Sequence, residues 1–458
     1  MSLSHACTTS STLSTEKIFE NLSDSTKSLY KRNIKDEFFA LEKELHQAFA
    51  EAERQCIAKL LQQYDWDYPS FQSGDKTYRR VSRSKKTYMS LAGEMTLERS
   101  LYRTTRAGIT YCPMELNAGL IEGFWTPQAA KQAIHLVSLN TPDECEKIFK
   151  EFGLMSPSKS SLDRLPKKLN EHWEDDRIAL ERQIFDTYII PPEATLYSIS
   201  LDGVMIATRY ALVLPGDSKW REACCGTISF YDKQGELLNT QFLARMPEHK
   251  KKTLKSQLSE RVKRVKEQRP DLQIIKVADG ARDNWTFLNG EIKEGECVLD
   301  FYHAATHLHT AMDVIYGKDS VDKTIQFKKY RHILRHDKKG IDKVINHLKY
   351  QLRKHPERKK IKTEITYFSR HRSRCQYARL DEENKPIGSG VVESACKTVL
   401  QMRLKRSGQR WEDEGGQAIL TFRSILLSQQ LDQAWTLLKG YYLKPIEPPK
   451  NVVSITRI

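Results

Sequence analysis

Residues 195–210 read TLYSISLDGVMIATRY. The run is apolar apart from small polar residues and is rich in residues that favour extended backbone, so it predicts a buried β-strand. One carboxylate, Asp202, interrupts it. A charge inside a buried strand is unfavourable unless it is paired or binds a cation. The stretch therefore predicts a central strand that carries a functional acid.

The sequence on the C-terminal side of this strand predicts a sheet. Two further strand patterns follow, KWREACCGTISFYD (219–232) and ELLNTQFLARM (236–246), and then a basic amphipathic helix that ends at Pro270. LQIIKVADGARDNW (272–285) and ECVLDFYHAATHLHTAMDVIYG (296–317) each change from strand to helix. Three consecutive strands followed by alternating helix and strand predict an α/β fold, in which helices flank a sheet of mixed strand directions.

A second acid, Asp279, stands at the carboxyl end of the strand IIKVA. An Asp-Gly pair after a strand is usually a turn, which is the simpler interpretation. However, ligands of open α/β sheets bind at the carboxyl ends of strands. Asp202 and Asp279 are therefore candidates for one common site.

A third acid, Glu393, begins a basic helix in residues 387–411, IGSGVVESACKTVLQMRLKRSGQRW. The helix is predicted to end at Gly408. An acid at the N-terminus and bases at the C-terminus of a helix complement its dipole, and this alone explains many such helices. The alternative is that Glu393 joins Asp202 and Asp279 in a two-metal site. Two Mg²⁺ ions about 4 Å apart need a few carboxylates from separate elements.

The chain has 458 residues, 39% of them hydrophobic, which predicts several domains with real cores and excludes a disordered protein. Its net charge is +15, with a pI of about 9.2, which favours a nucleic-acid partner. The sequence offers no apolar run of membrane-spanning length and no signal-peptide pattern, and its nine cysteines lack C-x-x-C spacing. We therefore expect a cytoplasmic, reduced protein with no membrane partner.

The positive charge is concentrated in one region. Residues 323–374 contain 18 Lys and Arg but only 4 Asp and Glu. A solvated helical surface normally mixes both signs, whereas an unbalanced run interleaved with Tyr, Phe and His favours a nucleic-acid surface. We predict that residues 321–380 form a basic, all-α insertion within the sheet domain.

The N-terminal third is predicted to be mainly helical, with a β-hairpin around Ala92-Gly93-Glu94. Thr141-Pro142 opens a helix that ends at Gly153, and a second helix follows, which together have the outline of a helix-turn-helix. This pair could read DNA or could only pack. The predicted segments are 1–26, mobile; 27–125, helices and hairpin; 126–190, helix-turn-helix-like; 195–320, first part of the core; 321–380, insertion; 381–435, closing helices of the core; and 436–458, tail.

Four blocks together resemble the DDE transposases of bacterial insertion sequences, and the ISKra-type family in particular. They are SLDGVMI at Asp202, KVADGARDNW at Asp279, DFYHAATHL at 300–308, and the closing block 387–424, which contains Glu393. The resemblance covers roughly residues 110–430. It implies an RNase H-like core in which Asp202, Asp279 and Glu393 are both the catalytic residues and the metal ligands. The implied metal is Mg²⁺, which Mn²⁺ can replace.

The resemblance also implies residues that contact DNA. Asp300 and His303 form a D-x-x-H motif that related transposases place near the cleaved bond. His303 and His307 stand one helical turn apart, a spacing that could instead bind Zn²⁺. The closing block carries the further predicted DNA contacts, Lys397, Arg403, Lys405, Arg406 and Trp411. Trp411 could stack on an unpaired base, although packing of the helix end is the simpler explanation.

The function that these patterns predict is metal-dependent cleavage and joining of DNA at the ends of an insertion sequence. Its partners would be the terminal repeats and target DNA, and a dimer or higher oligomer would hold both ends. Two alternatives stay open: an RNase H-like nuclease without strand joining, and a DNA-binding regulator that is no longer catalytic. The chain has no phosphate-binding G-x-x-x-x-G-K-[ST] loop, which argues against a kinase or nucleotidase.

Overall fold

The computed structural model describes residues 38–73, 75–106, 108–153, 155–209 and 219–446. These residues form two compact units. The first unit contains the described residues up to Ile134, then Pro142–Leu165 and those from Leu438 onward, and the second contains His135–Thr141 and Pro166–Leu437. The predicted mobile segment 1–26 lies outside the described residues, and the seven predicted functional segments stay a prediction.

The first unit is built on a long helix and a three-stranded antiparallel sheet of order β1-β2-β3. Its elements begin with α1 (Phe38–Gln62), β1 (Ser70–Ser73), β2 (Lys76–Ser90), β3 (Gly93–Arg103) and α2 (Pro113–Ala118). The predicted hairpin is confirmed, because Ser90 pairs with Gly93 across a tight turn in which Gly93 has φ 108°. Tyr88, Met95 and Leu97 from this hairpin pack with Leu61 in the core.

Four further helices continue the chain: α3 (Pro127–Leu139), α4 (Pro142–Phe152), α5 (Lys159–Asp175) and α6 (Arg177–Asp186). Prolines stand at the first positions of α3 and α4, as predicted for Pro142, and the missing N–H costs no helical hydrogen bond there. The predicted succession of helix, short connection and helix is confirmed for α4 and α5. Whether this pair reads DNA stays a prediction.

The second unit contains a five-stranded sheet of order β6-β5-β4-β7-β8. Its strands and the helices between them are β4 (Leu196–Ala207), β5 (Trp220–Tyr231), β6 (Leu237–Arg245), α7 (Lys252–Gln268), β7 (Gln273–Ala278), α8 (Arg282–Gly290) and β8 (Glu296–Leu299). The first three strands are antiparallel neighbours, whereas β7 and β8 run parallel to β4. The predicted mixed α/β sheet is confirmed.

The region after β8 is helical, as predicted. It comprises α9 (Phe301–Tyr316), α10 (Val321–His336), α11 (Gly340–Lys354), α12 (Lys359–Arg370) and α13 (Tyr377–Glu382). The chain then forms α14 (Gly390–Ala395), a π-helical turn (Cys396–Gln401), α15 (Met402–Leu404), α16 (Asp413–Leu427) and α17 (Leu431–Leu438). No helix among the described residues combines the length and apolarity that crossing a membrane requires.

Alternation along β4 explains how both faces of the sheet are covered. Tyr197, Ile199 and Leu201 pack in one core with apolar residues of α6, α7 and α8. Residues of the opposite parity lie on the other face, where Leu196 joins the core of helices α9 to α13. Val204 and Ile206, farther along that same face, pack with the π-helical turn and α16. Asp202 has the parity of Val204, so it lies on this second face.

Candidate functional site

Three aspartates lie at one level of three neighbouring parallel strands, Asp202 within β4, and Asp279 and Asp300 directly after β7 and β8. The β4–β7 pairing, which joins Ile199 with Lys276, reaches Asp202 and Asp279 when it is extended by three residues. The β7–β8 pairing extended by one residue reaches Asp279 and Asp300, and Asp300 N donates to the carbonyl of Ala278 at 2.9 Å. This strand register aligns the three acids in a carboxylate row, Asp202–Asp279–Asp300.

Asp202 is half-buried inside β4 and is fixed by its neighbours. Its Oδ1 accepts a hydrogen bond from Gly203 N at 2.7 Å, and the thiol of Cys396 donates to the same carboxylate. A Cβ on Gly203 would lie 2.2 Å from Glu222 Oε1, so any larger residue here would require the exposed Glu222 side chain to move. The Asp202-Gly203 pair is part of a paired strand and not of a turn.

Asp279 follows β7, and the first turn of α8 holds it. Its Oδ1 accepts hydrogen bonds from Ala281 N and Asn284 Nδ2, each at 3.0 Å. Trp285 Nε1 donates to the backbone carbonyl of Asp279 at 2.6 Å. Asn284 and Trp285 are both buried. The motif ADGARDNW thus encodes an acid together with the helix turn that orients it.

Gly280, which follows Asp279, packs closely against the ring of Tyr367. A Cβ on Gly280 would lie 2.4 Å from the ring of Tyr367, so only glycine fits without a shift. Tyr367 stacks on His307 at 3.6 Å between ring centroids, and His307 Nδ1 lies 2.7 Å from Glu364 Oε2. Through these contacts the helical insertion supports the Asp279 turn from α12.

Asp300 is fully buried and links two segments of the site. Its Oδ1 accepts a hydrogen bond from His303 N at 2.8 Å, which caps the N-terminus of α9. Its Oδ2 accepts from Ser389 N at 2.6 Å and also from Ser389 Oγ. The carboxylate therefore anchors the Gly-Ser-Gly segment directly before the helix that carries Glu393.

Glu393 lies in the first turn of α14, beside Asp300 and His303. One ligand atom from each of Asp300, His303 and Glu393 lies within 4.8 Å of the others, the spacing of a group that could hold a metal ion. This group differs from the predicted metal-binding triad, in which Glu393 was combined with Asp202 and Asp279. Those two aspartates lie outside the group. Electrostatic coupling nevertheless connects the two sets, because the charge of Asp202 acts on Glu393 and that of Asp279 acts on Asp202.

Two carboxyl groups of the site are protonated more readily than usual. Burial raises the pKa of Asp202, and the charge of Asp279 raises it further, although hydrogen bonds from Gly203 and Cys396 oppose the change. Burial likewise raises the pKa of Glu393, with contributions from the charges of Asp300 and Asp202 and opposition from His303 and Lys397. In both cases negative groups crowd one another, and a bound cation would relieve that repulsion.

The donors fit a hard divalent cation. Carboxylate oxygens are the ligands that Mg²⁺ and Mn²⁺ prefer, and the acids come from separate elements, as a two-metal site requires. Asp300 Oδ1 accepts one hydrogen bond, from His303 N, and a carboxylate oxygen can accept two. The zinc alternative with both His303 and His307 is less consistent with the geometry, because His307 contacts Glu364 and Tyr367 instead.

The helix that follows Glu393 differs from the prediction. We expected one helix ending at Gly408, but α15 ends at Leu404, and Gly408 lies in the next turn with φ 72°. Residues 396–401 form a π-helical turn, which inserts an extra residue and often marks functional positions. This turn places Cys396 against Asp202 while Glu393 stays near Asp300.

Basic residues of this segment divide into buried and exposed groups. Arg403, which the sequence predicts as a DNA contact, belongs to the buried group. Arg403 is 2% exposed, donates to the carbonyl of Val137 at 3.5 Å and lies over the ring of Trp411. Arg406 is half-buried and donates to the carbonyl of Leu139 at 3.4 Å. Lys397 and Lys405 are exposed, and their DNA contacts stay a prediction.

Trp411 is half-buried in the core beneath the π-helical turn. Its Nε1 donates to the carbonyl of Leu404 at 3.1 Å, and its backbone pairs with Thr208 of the chain after β4. These contacts match the packing interpretation and fix the end of α15 against the sheet. A role in base stacking stays untested.

Several residues of the site carried no role in the sequence interpretation. Asn284, Trp285 and Ser389 stand inside the quoted motifs, but only the structure shows which acid each one contacts. A polar residue in the first turn of a helix that follows a strand-end Asp was the available signal for Asn284. Cys396 and Tyr367 gave no comparable signal, because their contacts depend on the π-helical turn and on α12.

The sequence matches no protein-family model and no curated protein. Solved structures that align with the chain include the Drosophila P element transposase strand transfer complex, with 14% identity, coverage of 70% of this chain and 82% of that chain, and a TM-score of 0.26. The Mos1 transposase paired-end complex with left transposon end aligns with 12% identity, 53% and 79% coverage, and a TM-score of 0.15. TM-scores of this size do not establish a shared fold, so the site rests on its own geometry.

Proposed function

We propose that this protein is a divalent-metal-dependent DNA transposase whose second unit is an RNase H-like core. The observation that carries the proposal is the carboxylate row, Asp202–Asp279–Asp300, beside Glu393. A mixed sheet that aligns acids of adjacent parallel strands, with one more acid from a helix, suits phosphodiester chemistry. The four blocks that resemble ISKra-type transposases contain these same acids.

In this proposal, Asp202, Asp279 and Glu393 are metal ligands and Asp300 anchors the segment before Glu393. Bound Mg²⁺ or Mn²⁺ would activate a water or a 3′-hydroxyl and stabilise the leaving oxygen of the phosphodiester. Asn284 and Trp285 hold Asp279, and Cys396 orients Asp202, so these residues set the positions of the ligand oxygens. No serine or tyrosine nucleophile is required, because the attacking oxygen comes from water or from DNA.

The positive charge supports DNA as the substrate. The exposed Lys397 and Lys405 extend from the site along the closing segment, and the helical insertion carries most of the excess cations. His303 lies at the surface beside Glu393, where it could contact DNA or add a ligand to the metal site. The helix pair α4–α5 would assist recognition of the element ends, and an oligomer would hold both ends together.

A product assay on the chain's own flanking DNA tests the proposal. End-labelled duplex would be incubated with wild-type protein or with Asp202→Asn, in Mg²⁺, Mn²⁺ or EDTA, and resolved on denaturing gels. Metal-dependent cuts at a fixed distance from a repeat, with joined products in the presence of target DNA and neither in the variant, are the expected result. Cuts without joined products would indicate a nuclease, and binding without cuts would indicate a regulator.

A further inference from the structure

Helices α9 and α10 enclose a groove of about 570 Å³ on the helical insertion, here called the α9–α10 groove. Four cationic side chains line it, Lys323, Lys328, Arg331 and Arg335, together with three histidines. The groove begins at Phe301, the residue directly after Asp300. Its lining residues all belong to the second unit.

The cations of α10 form a line along one face of that helix. Positions 328, 331 and 335 repeat at the three- and four-residue spacing that sets side chains on one side of a helix. Seven residues span about 10 Å of helix axis. One strand of duplex DNA carries a charge about every 3.4 Å along its axis, so a line of this length can meet more than one phosphate.

The charges in the groove are only partly neutralised. Lys323 Nζ lies 3.0 Å from Asp313 Oδ1, and Arg335 Nε lies 2.9 Å from Asp381 Oδ2. Lys328 and Arg331 are both exposed, and neither forms an ion pair with an acid among the described residues. The guanidinium of Arg331 instead lies over the ring of Phe301 at 5.3 Å, which fixes it toward the groove.

We infer that the α9–α10 groove binds successive phosphate groups of a nucleic-acid strand. The inference rests on the proposed function, because it identifies which part of the basic insertion holds DNA. A solvated face would pair its cations with nearby acids, whereas this groove gathers four cations on a concave surface and leaves Lys328 and Arg331 without an acid among the described residues. Phe301, which lines the groove, directly follows Asp300 of the carboxylate row in the chain.

Two matched double variants test the inference. Lys328→Ala/Arg331→Ala removes two groove cations, and Lys349→Ala/Lys362→Ala removes two exposed cations from α11 and α12 outside the groove. Binding of labelled duplex and of labelled single strands would be measured by fluorescence anisotropy in EDTA, across a range of salt concentrations. Circular dichroism would check that both proteins are folded.

The groove variant should lose about tenfold in DNA affinity at low salt, and its salt slope should fall by about two. The control variant should lose no more than about threefold, since it weakens only the general field. Equal losses in both variants would overturn the inference. Cleavage of flanking DNA by a groove variant with wild-type affinity would also overturn it, while leaving the proposed function standing.

A second arm distinguishes a DNA strand from a free nucleotide as the source of the phosphates. Binding of a fluorescent nucleoside triphosphate would be measured on the wild-type protein and on the groove variant. If the wild-type protein binds the triphosphate saturably and the groove variant does not, the groove is a site for free nucleotides. Loss of DNA binding alone would assign it to a strand. The groove variant could lose phosphate binding while the wild-type protein cuts no DNA with any metal. In that case the proposed function fails, whereas the inference that the groove binds phosphate groups stands.

Discussion

At the residue scale, the site consists of acids that destabilise one another without a cation. Asp202 and Glu393 both have raised pKa values, because burial and neighbouring acids disfavour their charged forms. For an acid whose folded-state pKa is raised, stability falls as pH rises from the unfolded-state pKa through the folded-state pKa. The metal-free protein should therefore lose stability over the mildly acidic range in which these carboxyl groups ionise.

Asp202→Asn should stabilise the metal-free protein near neutral pH, because it removes a charge that Asp279 opposes. We expect a rise of about 1–3 °C in Tm in EDTA, on the scale of a single polar substitution. The difference should shrink as pH falls through the raised pKa of Asp202, where the wild-type carboxyl becomes neutral as well. Differential scanning fluorimetry against pH measures this. A lower Tm for the variant in EDTA at neutral pH would contradict the electrostatic account.

Substitutions of the three proposed metal ligands should impair DNA cleavage but leave DNA binding intact. Asp202→Asn, Asp279→Asn and Glu393→Gln should each reduce metal-dependent cleavage by at least about 100-fold, because each removes a charged ligand. DNA affinity measured in EDTA should stay within about threefold of wild type. Glu291→Gln, an exposed acid on the surface after α8, is the matched control. Near-normal cleavage by any of the three would remove that residue from the proposed ligand set.

At the element scale, hydrogen bonds from the first turn of α8 hold the Asp279 carboxylate in position. Asn284→Ala removes the hydrogen bond from Asn284 Nδ2 to Asp279 Oδ1. Loss of such a supporting contact typically costs about 10–100-fold in metal affinity or activity. Cleavage should therefore require more Mn²⁺, and excess metal should restore part of the rate. Thr286→Ala, on an exposed position of the same helix, should leave the metal dependence unchanged, and equal effects from both would indicate a general loss of α8.

His303 distinguishes a metal ligand from a DNA contact within α9. An imidazole nitrogen favours Mn²⁺ over Mg²⁺, so His303→Ala should weaken Mn²⁺ binding more than Mg²⁺ binding if His303 joins Glu393 at the metal. Calorimetric titrations of both metals without DNA measure this directly. His46→Ala, an exposed histidine on α1, serves as the control. Equal metal affinities for variant and wild type would leave His303 a DNA contact only.

The sequence pattern predicted the strands, their mixed directions and the helical insertion, because alternation and turn residues are local signals. Asp202 and Asp279 were recognisable for the same reason, since each acid interrupts or ends an apolar strand. The pattern did not predict the π-helical turn after Glu393, which depends on how Cys396 meets Asp202 and how Trp411 packs below it. Nor did it predict the burial of Arg403, whose partner Val137 is 266 residues away.

At the scale of the whole molecule, the two units separate a mainly helical N-terminal part from the sheet that carries the acids. The carboxylate row and the α9–α10 groove both belong to the second unit and meet at the consecutive residues Asp300 and Phe301. Negative groups are thus gathered at the sheet edge and positive groups on the insertion beside it. This arrangement suits a polyanion that is held by the insertion and cut at the sheet.

The measurement that tests the central claim most directly is a calorimetric titration of Mn²⁺ into metal-free protein at neutral pH. The account predicts saturable binding to the wild-type protein that Asp202→Asn, Asp279→Asn and Glu393→Gln each weaken by at least about tenfold, with Glu291→Gln unchanged. Wild-type isotherms for all three variants would contradict the claim that Asp202, Asp279 and Glu393 hold a metal.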